Sequence, residues 1–212
     1  MDEVKDQINW DSYLIPNTNV LKNKLGIIEK NELKKREREI TKRNLAKIYL
    51  VPVQGNFDLK HLLEIHREIF GDIYPFAGEI RTCSMRKQTI FCDVENIENY
   101  TNLILKGLNQ EFYDDVKTIN DFAFKLAKYY HYLIYAHPFR EGNGRTIRVF
   151  IRDFVVEKSK NLSCGPLDVD YTKMDKEMLL LGTINRECYP SLIEYEFTKG
   201  LVKVDKEKNK KI

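Results

Sequence analysis

At 212 residues, 42% hydrophobic and 32% charged, the chain has the make-up of one medium globular domain with at most small extensions. That size supports a packed core without disulfide staples. A net charge of +3 is too small to suggest a nucleic-acid partner, and no run approaches the ~20 apolar residues of a membrane span.

The first ten residues, MDEVKDQINW, carry acids and no apolar block, so a secretory signal is not expected. The cysteines Cys83, Cys92, Cys164 and Cys188 form no CxxC pair, which argues against a zinc site. A reduced cytoplasmic protein is the simplest reading, with a Cys83–Cys92 bridge across a hairpin as the alternative.

Residues 9–26 read as loop and turn around Pro16-Asn17-Thr18-Asn19. The spacing of Leu33, Glu37, Ile40, Leu45 and Ile48 predicts a helix over 30–49. Its Lys/Arg/Glu-rich face reads as a solvated surface. Pro52 and Gly55 break the chain. Asp58 then suits the N-cap of a second helix with Leu62, Ile65, Ile69 and Phe70 on its apolar face.

Residues 79–93 form the one region with a strand pattern. Ile80, Cys83 and Met85 precede a polar tip, and Thr89-Ile90-Phe91 follow it, which predicts a short β-hairpin with its tip at 86–88. Further helices are expected over 96–112, 120–135, 145–157, 171–185 and 191–201. The helix over 120–135 is strongly apolar through Phe122, Leu126, Tyr129, Tyr130, Leu133 and Ile134. The tail 203–212 carries five lysines against two acids and reads as a basic, disordered end. The expected organisation is a 1–30 extension, a mainly α domain over 31–202 with a short β-hairpin, and the tail.

The chemistry concentrates in His137-Pro138-Phe139-Arg140-Glu141-Gly142-Asn143-Gly144-Arg145-Thr146-Ile147-Arg148. Pro138 disfavours helix at the residue before it, so the apolar helix should end near Ala136. The chain then re-enters a helix near Gly144. Free N–H groups and the positive end of the helix dipole make such a start an anion site. Gly142 and Gly144 let the backbone approach phosphate oxygens, and Asn143 adds a neutral donor. Arg145 and Arg148, three residues apart, suit the β- and γ-phosphates. Glu141 beside a phosphate site implies a cation between them, and magnesium held by one carboxylate, phosphate oxygens and water meets that need. His137 suits a general base toward a hydroxyl, and Phe139 suits an apolar anchor. Each piece alone is commonplace. Their joint spacing is not.

This stretch resembles the HxFx(D/E)GNGRxxR motif of the Fic family of protein adenylyltransferases, with every fixed position filled. Phe76-Ala77-Gly78-Glu79-Ile80-Arg81 is similar to the segment before that family's hairpin flap, and Leu21-Lys22-Asn23-Lys24-Leu25-Gly26 is similar to its N-terminal sequence. The resemblance spans about residues 14–160.

It implies a compact Fic-like helical domain that transfers AMP from ATP-magnesium to a Ser, Thr or Tyr hydroxyl of a target protein. His137 is then the base and Glu141 the magnesium ligand. Gly142, Asn143, Gly144 and Arg145 bind the α- and β-phosphates, and Arg148 binds the γ-phosphate. Arg86, Lys87, Gln88, Thr89, Ile90 and Phe91 become the flap that docks the target, with Lys87 and Gln88 also near the nucleotide. The family commonly has glycine where Gln88 stands.

Thr183-Ile184-Asn185-Arg186-Glu187-Cys188 approximates the family's inhibitory [S/T]xxxE[G/N] pattern, in which the glutamate pairs with the final motif arginine. The simpler reading of Glu187 is an exposed acid near a helix end. Inhibition then falls to an antitoxin-like subunit or is absent. The alternatives to AMP transfer are transfer of UMP, GMP or phosphate, or a non-catalytic nucleotide-binding module. A cytoplasmic location is expected, with secretion as an effector left open.

Overall fold

The computed structural model describes residues 2–85, 91–110, 116–184 and 190–204. They divide into two compact units, one of residues 1–102 with 136–146, the other of residues 103–135 with 147–212.

The first unit opens with α1, Asp2–Ser12. The loop expected over 9–26 is therefore helical up to Ser12, and only its remainder turns. That remainder is closed by a bridge between Leu14 and Leu21, so the Pro16-Asn17 turn sits where its composition puts it. Helix α2, Lys30–Leu50, starts at Glu29, whose carboxylate accepts the N–H groups of Asn31 and Glu32. Its buried residues Leu33, Thr41, Asn44 and Ile48 lie in one helical register. The Lys/Arg/Glu-rich face is exposed as expected except at Glu37, while the polar Thr41 and Asn44 sit on the inward face with Leu33 and Ile48. Asn44 donates to the carbonyl of Ile69 at 3.1 Å and to Asp72 at 3.2 Å, which ties α2 to α3.

Helix α3, Leu59–Phe70, is capped by Asp58, which accepts the N–H of His61 at 2.9 Å. Its inner face, Leu62, Ile65, His66, Ile69 and Phe70, is fully buried. Among the described residues of 79–93 there is no strand. Arg81, Cys83 and Met85 are buried and alternate with exposed Thr82 and Ser84, so the period-two pattern is real. The backbone there bonds to the rest of the unit rather than to a strand. Residues 86–90, which include the expected hairpin tip at 86–88, lie outside the described residues. Cys83 and Cys92 are buried and not joined to each other by a disulfide.

Helices α4, Ile97–Gln110, α5, Ile119–Ala136, and α6, Asn143–Lys158, follow the apolar spacing closely. Thr118 and Asp121 cap the start of α5 reciprocally, side chain to N–H in both directions. In the second unit, Phe122, Leu126, Leu133, Ile147, Phe150, Ile151, Phe154 and Phe197 are fully buried.

The only sheet among the described residues lies here and was not expected. Strand β1, Leu167–Val169, pairs antiparallel with β2, Leu201–Lys203, aligning Asp168 with Val202. Three residues each are too few to show alternation. Arg152 on α6 holds Asp168 with a two-pronged bond at 2.8 and 3.0 Å.

The helix expected over 171–185 is broken. A 3-10 turn, Tyr171–Lys173, precedes α7, Lys176–Ile184, because Asp175 caps the N–H groups of Glu177 and Met178 and starts a new helix. Helix α8, Pro190–Gly200, leads into β2. Glu187 and the tail from 205 lie outside the described residues. No helix among the described residues is long and apolar enough to cross a membrane.

Candidate active site

Residues 137–142 connect α5 to α6, and the way they are held explains their shape. His137 adopts φ 44°, a left-handed conformation uncommon for a residue with a Cβ. Arg81 stabilises that turn. Its Nε–H donates to the His137 carbonyl at 2.8 Å, and its backbone N–H donates to the Pro138 carbonyl at 2.8 Å. The rest of the guanidinium donates to the carbonyls of Cys83 at 2.6 Å and Cys92 at 2.5 Å. One buried cation therefore joins the backbone at His137 to both flanks of segment 86–90. Burial lowers the pKa of Arg81, but a guanidinium starts so high that it stays charged. The imidazole of His137 stacks on the buried ring of Phe91, 3.8 Å between centroids.

The middle of the loop is pinned from below. Phe139 is fully buried and stacks on His66 with 3.8 Å between ring centroids and the rings nearly parallel. His66 Nδ1 accepts the N–H of Gly78 at 2.8 Å, which leaves the ring proton on Nε2. That Nε2–H donates to the carbonyl of Glu141 at 2.9 Å. Burial pushes the pKa of His66 down to about 4, so this arrangement is neutral near pH 7. Arg140 lies over the indole of Trp10 at 4.0 Å and so seats α1 on the loop.

Asn143 behaves differently from the phosphate donor expected. Its Oδ1 accepts the N–H of Phe139 at 2.9 Å, and its Nδ2 donates to the Phe139 carbonyl at 2.6 Å. Both ends of the amide are committed to the shape of the loop. What Asn143 and Gly144 contribute are backbone N–H groups at the first turn of α6, which have no intrahelical acceptor. Gly142 is required twice over. Its φ is +86°, and a Cβ there would meet the Phe70 ring at 2.3 Å.

Arg145 stands between two carboxylates. Its Nη1 is 2.7 Å from Glu37 and 3.4 Å from the Thr41 hydroxyl, while its Nη2 is 3.5 Å from Glu141. The guanidinium lies over Phe70 at 4.6 Å. Glu37 also accepts the hydroxyl of Tyr74. Burial, and then that hydrogen bond, raise the pKa of Tyr74, so the phenol remains a donor. Glu141 Oε1 accepts the N–H of Gly142 at 2.9 Å, and the side chain is 39% exposed.

Arg145 is closer to Glu37 than to Glu141, so Glu141 is the less tightly paired of the two carboxylates. No group of three His, Cys, Asp or Glu side chains among the described residues could hold a metal. A single, partly exposed carboxylate such as Glu141 is the donor type a hard divalent cation takes together with oxygens of a ligand and water.

Arg148 belongs to the second unit. Its guanidinium donates to the buried Tyr130 hydroxyl, and its carbonyl accepts the Tyr171 hydroxyl at 3.0 Å. Burial raises the pKa of both phenols.

His137, Glu141, Gly142, Asn143, Gly144 and Arg145 thus come together in one unit as the motif spacing suggests. Phe91 is described and buried against His137 rather than displayed to solvent, contrary to its expected place on an exposed flap. Arg86, Lys87, Gln88, Thr89, Ile90 and Glu187 lie outside the described residues. Glu37, His66, Tyr74 and Arg81 have no role in the site as read from sequence. Glu37 had a signal, since an acid in register with Leu33, Thr41 and Ile48 must find a cation.

The Fic/DOC family profile matches residues 56–155. The chain is 32% identical over 177 residues to the probable protein adenylyltransferase Fic of Salmonella typhimurium, covering 82% of this chain and 87% of that protein. It is 29% identical over 198 residues to the protein adenylyltransferase VbhT of Bartonella schoenbuchensis, covering 91% of this chain but spanning 40% of that relative's length.

Among solved structures, the fold matches the N-terminal Fic domain of a Bartonella quintana effector with bound ADP. The TM-score is 0.81 at 24% identity, covering 94% of this chain and 98% of the other. It also matches the BepC protein of Bartonella tribocorum with bound AMPPNP, at TM-score 0.80 and 24% identity, covering 92% and 98%. The chain belongs to the Fic/DOC family.

Proposed function

We propose that this protein is a protein adenylyltransferase that moves AMP from ATP to a Ser, Thr or Tyr hydroxyl of a target protein. The observation that carries the reading is the single loop that brings the His137 imidazole, the Glu141 carboxylate, the open N-terminus of α6 and Arg145 into one unit. Relatives named protein adenylyltransferases support it, as do similarly folded domains with bound ADP and AMPPNP.

The target hydroxyl oxygen attacks the α-phosphorus and His137 takes its proton. The bond from the α-phosphorus to the bridging oxygen breaks, and pyrophosphate leaves. The N–H groups of Asn143 and Gly144, the α6 dipole and Arg145 meet the charge on the phosphates. Magnesium bound at Glu141 would neutralise phosphate charge and leave the polyphosphate in a fixed pose. The fixed loop removes the cost of assembling these groups for each turnover. Buried cysteines at 83, 92 and 164 suit work in a reducing compartment such as the cytoplasm.

Incubation with ATP and a lysate of potential targets, followed by peptide mass spectrometry, tests the reading. A gain of one AMP moiety on hydroxyl side chains is expected. A gain of phosphate alone, or no modification, overturns it.

A further inference from the structure

Glu37 lies outside the motif, 108 residues before Arg145 in the chain, yet it is the nearer of the two carboxylates on that guanidinium, at 2.7 Å against 3.5 Å for Glu141. Its side chain is 13% exposed. Its two oxygens are divided, Oε2 to the Tyr74 hydroxyl and Oε1 to Arg145. Thr41, one helical turn further along α2, faces the same nitrogen of Arg145. Phe70 closes the guanidinium from another side. Arg145 is thus fixed by three groups of α2 and α3, and its remaining approach is toward Glu141.

We propose that Glu37 is a positioning residue of the transfer site. It holds Arg145 out for a phosphate and keeps that arginine from closing on Glu141. Without the Glu37 charge, Arg145 has one carboxylate left in reach, four residues earlier in its own chain. Pairing there withdraws the guanidinium from the phosphates and covers the acid that suits a divalent cation. Both consequences weaken nucleotide binding, and the second also raises the magnesium demand. Tyr74 acts one step removed, by fixing the Glu37 carboxylate. The proposal rests on the adenylyl-transfer reading of the same site.

The test is calorimetric binding of a non-hydrolysable ATP analogue across a magnesium titration, with thermal unfolding measured alongside. The proteins are wild type, Glu37→Gln, Glu37→Asp, Tyr74→Phe, Arg145→Ala and the Glu37→Gln/Arg145→Ala double variant. Glu37→Gln should weaken binding on the order of tenfold and shift the magnesium midpoint upward, because contacting charged groups couple strongly. Glu37→Asp should recover part of the loss, and Tyr74→Phe should show a smaller loss. In the Arg145→Ala background, Glu37→Gln should change binding less than about twofold.

A folded Glu37→Gln variant with wild-type affinity and magnesium midpoint overturns the proposal. Tighter binding also overturns it and makes Glu37 a competitor for Arg145. An effect that persists in the Arg145→Ala background reduces Glu37 to a structural residue. If Glu37→Gln does not fold, Glu37→Asp and its cycle with Arg145→Ala decide in the same way. Failure of wild type itself to bind the analogue overturns the function reading, and this proposal with it. Wild-type binding with an indifferent Glu37→Gln overturns only this one.

Discussion

His66 offers a quantitative test of how the motif loop is held. Its Nδ1 accepts from Gly78 and its Nε2–H donates to Glu141, so the folded loop needs the neutral ring. Its pKa falls from 6.5 to about 4 on folding. A group whose folded pKa is depressed in this direction is fully compatible with the fold above pH 6.5. It withdraws stability as pH drops toward 4, because the unfolded chain then binds a proton that the folded chain refuses. From those two values, the loss relative to pH 7 is about 2 kcal/mol at pH 5 and about 3 kcal/mol at pH 4.

Glutamine at position 66 can offer one donor and one acceptor without titrating. Urea unfolding of wild type and His66→Gln at pH 7, 6, 5 and 4.5 isolates the difference. Carboxylates and His61, whose pKa burial also lowers, act in both proteins and cancel. Wild type should lose about 2 kcal/mol more than the variant between pH 7 and pH 5. Parallel slopes for the two proteins would refute the buried, neutral ring as the support of the loop.

The remaining expectations concern the loop itself. His137→Ala should abolish transfer while leaving binding of an ATP analogue nearly unchanged by calorimetry, because phosphate contacts come from other groups. Glu141→Gln should cut transfer by about a hundredfold or more with little rescue by excess magnesium, measured as labelled product across a metal titration. Survival of transfer after full chelation would remove the metal role. Gly142→Ala should cost about 2–4 kcal/mol in denaturant unfolding, since the new methyl meets both a left-handed backbone and the Phe70 ring.

Much of this was legible because the responsible signals are local. Pro138 marks the end of α5, Asp58 caps α3, and the spacing of Phe122, Leu126 and Leu133 outlines α5 itself. The motif could be read as a loop feeding a helix because glycine and proline punctuate it.

What escaped depends on partners far away in the chain. Glu37 stands in the inward register of α2, but nothing local says which cation meets it until Arg145 is beside it. Arg81 reads as a strand residue, yet its guanidinium gathers the carbonyls of Cys83, Cys92 and His137. The side chain of Asn143 is a further case, since it bonds the backbone of Phe139. An amide can face a ligand or close its own loop, and only geometry distinguishes the two. The β1–β2 pair joins segments more than thirty residues apart, as Leu167 aligns with Lys203, with no hairpin turn to announce it.

The most direct test of the central claim uses ATP labelled either at the α- or at the γ-phosphate, incubated with target protein and with wild-type or His137→Ala enzyme. Label should pass to a protein hydroxyl from the α-phosphate alone, with pyrophosphate released, and should vanish with His137→Ala. Transfer of the γ-label, or α-label transfer that survives the loss of His137, would contradict the account.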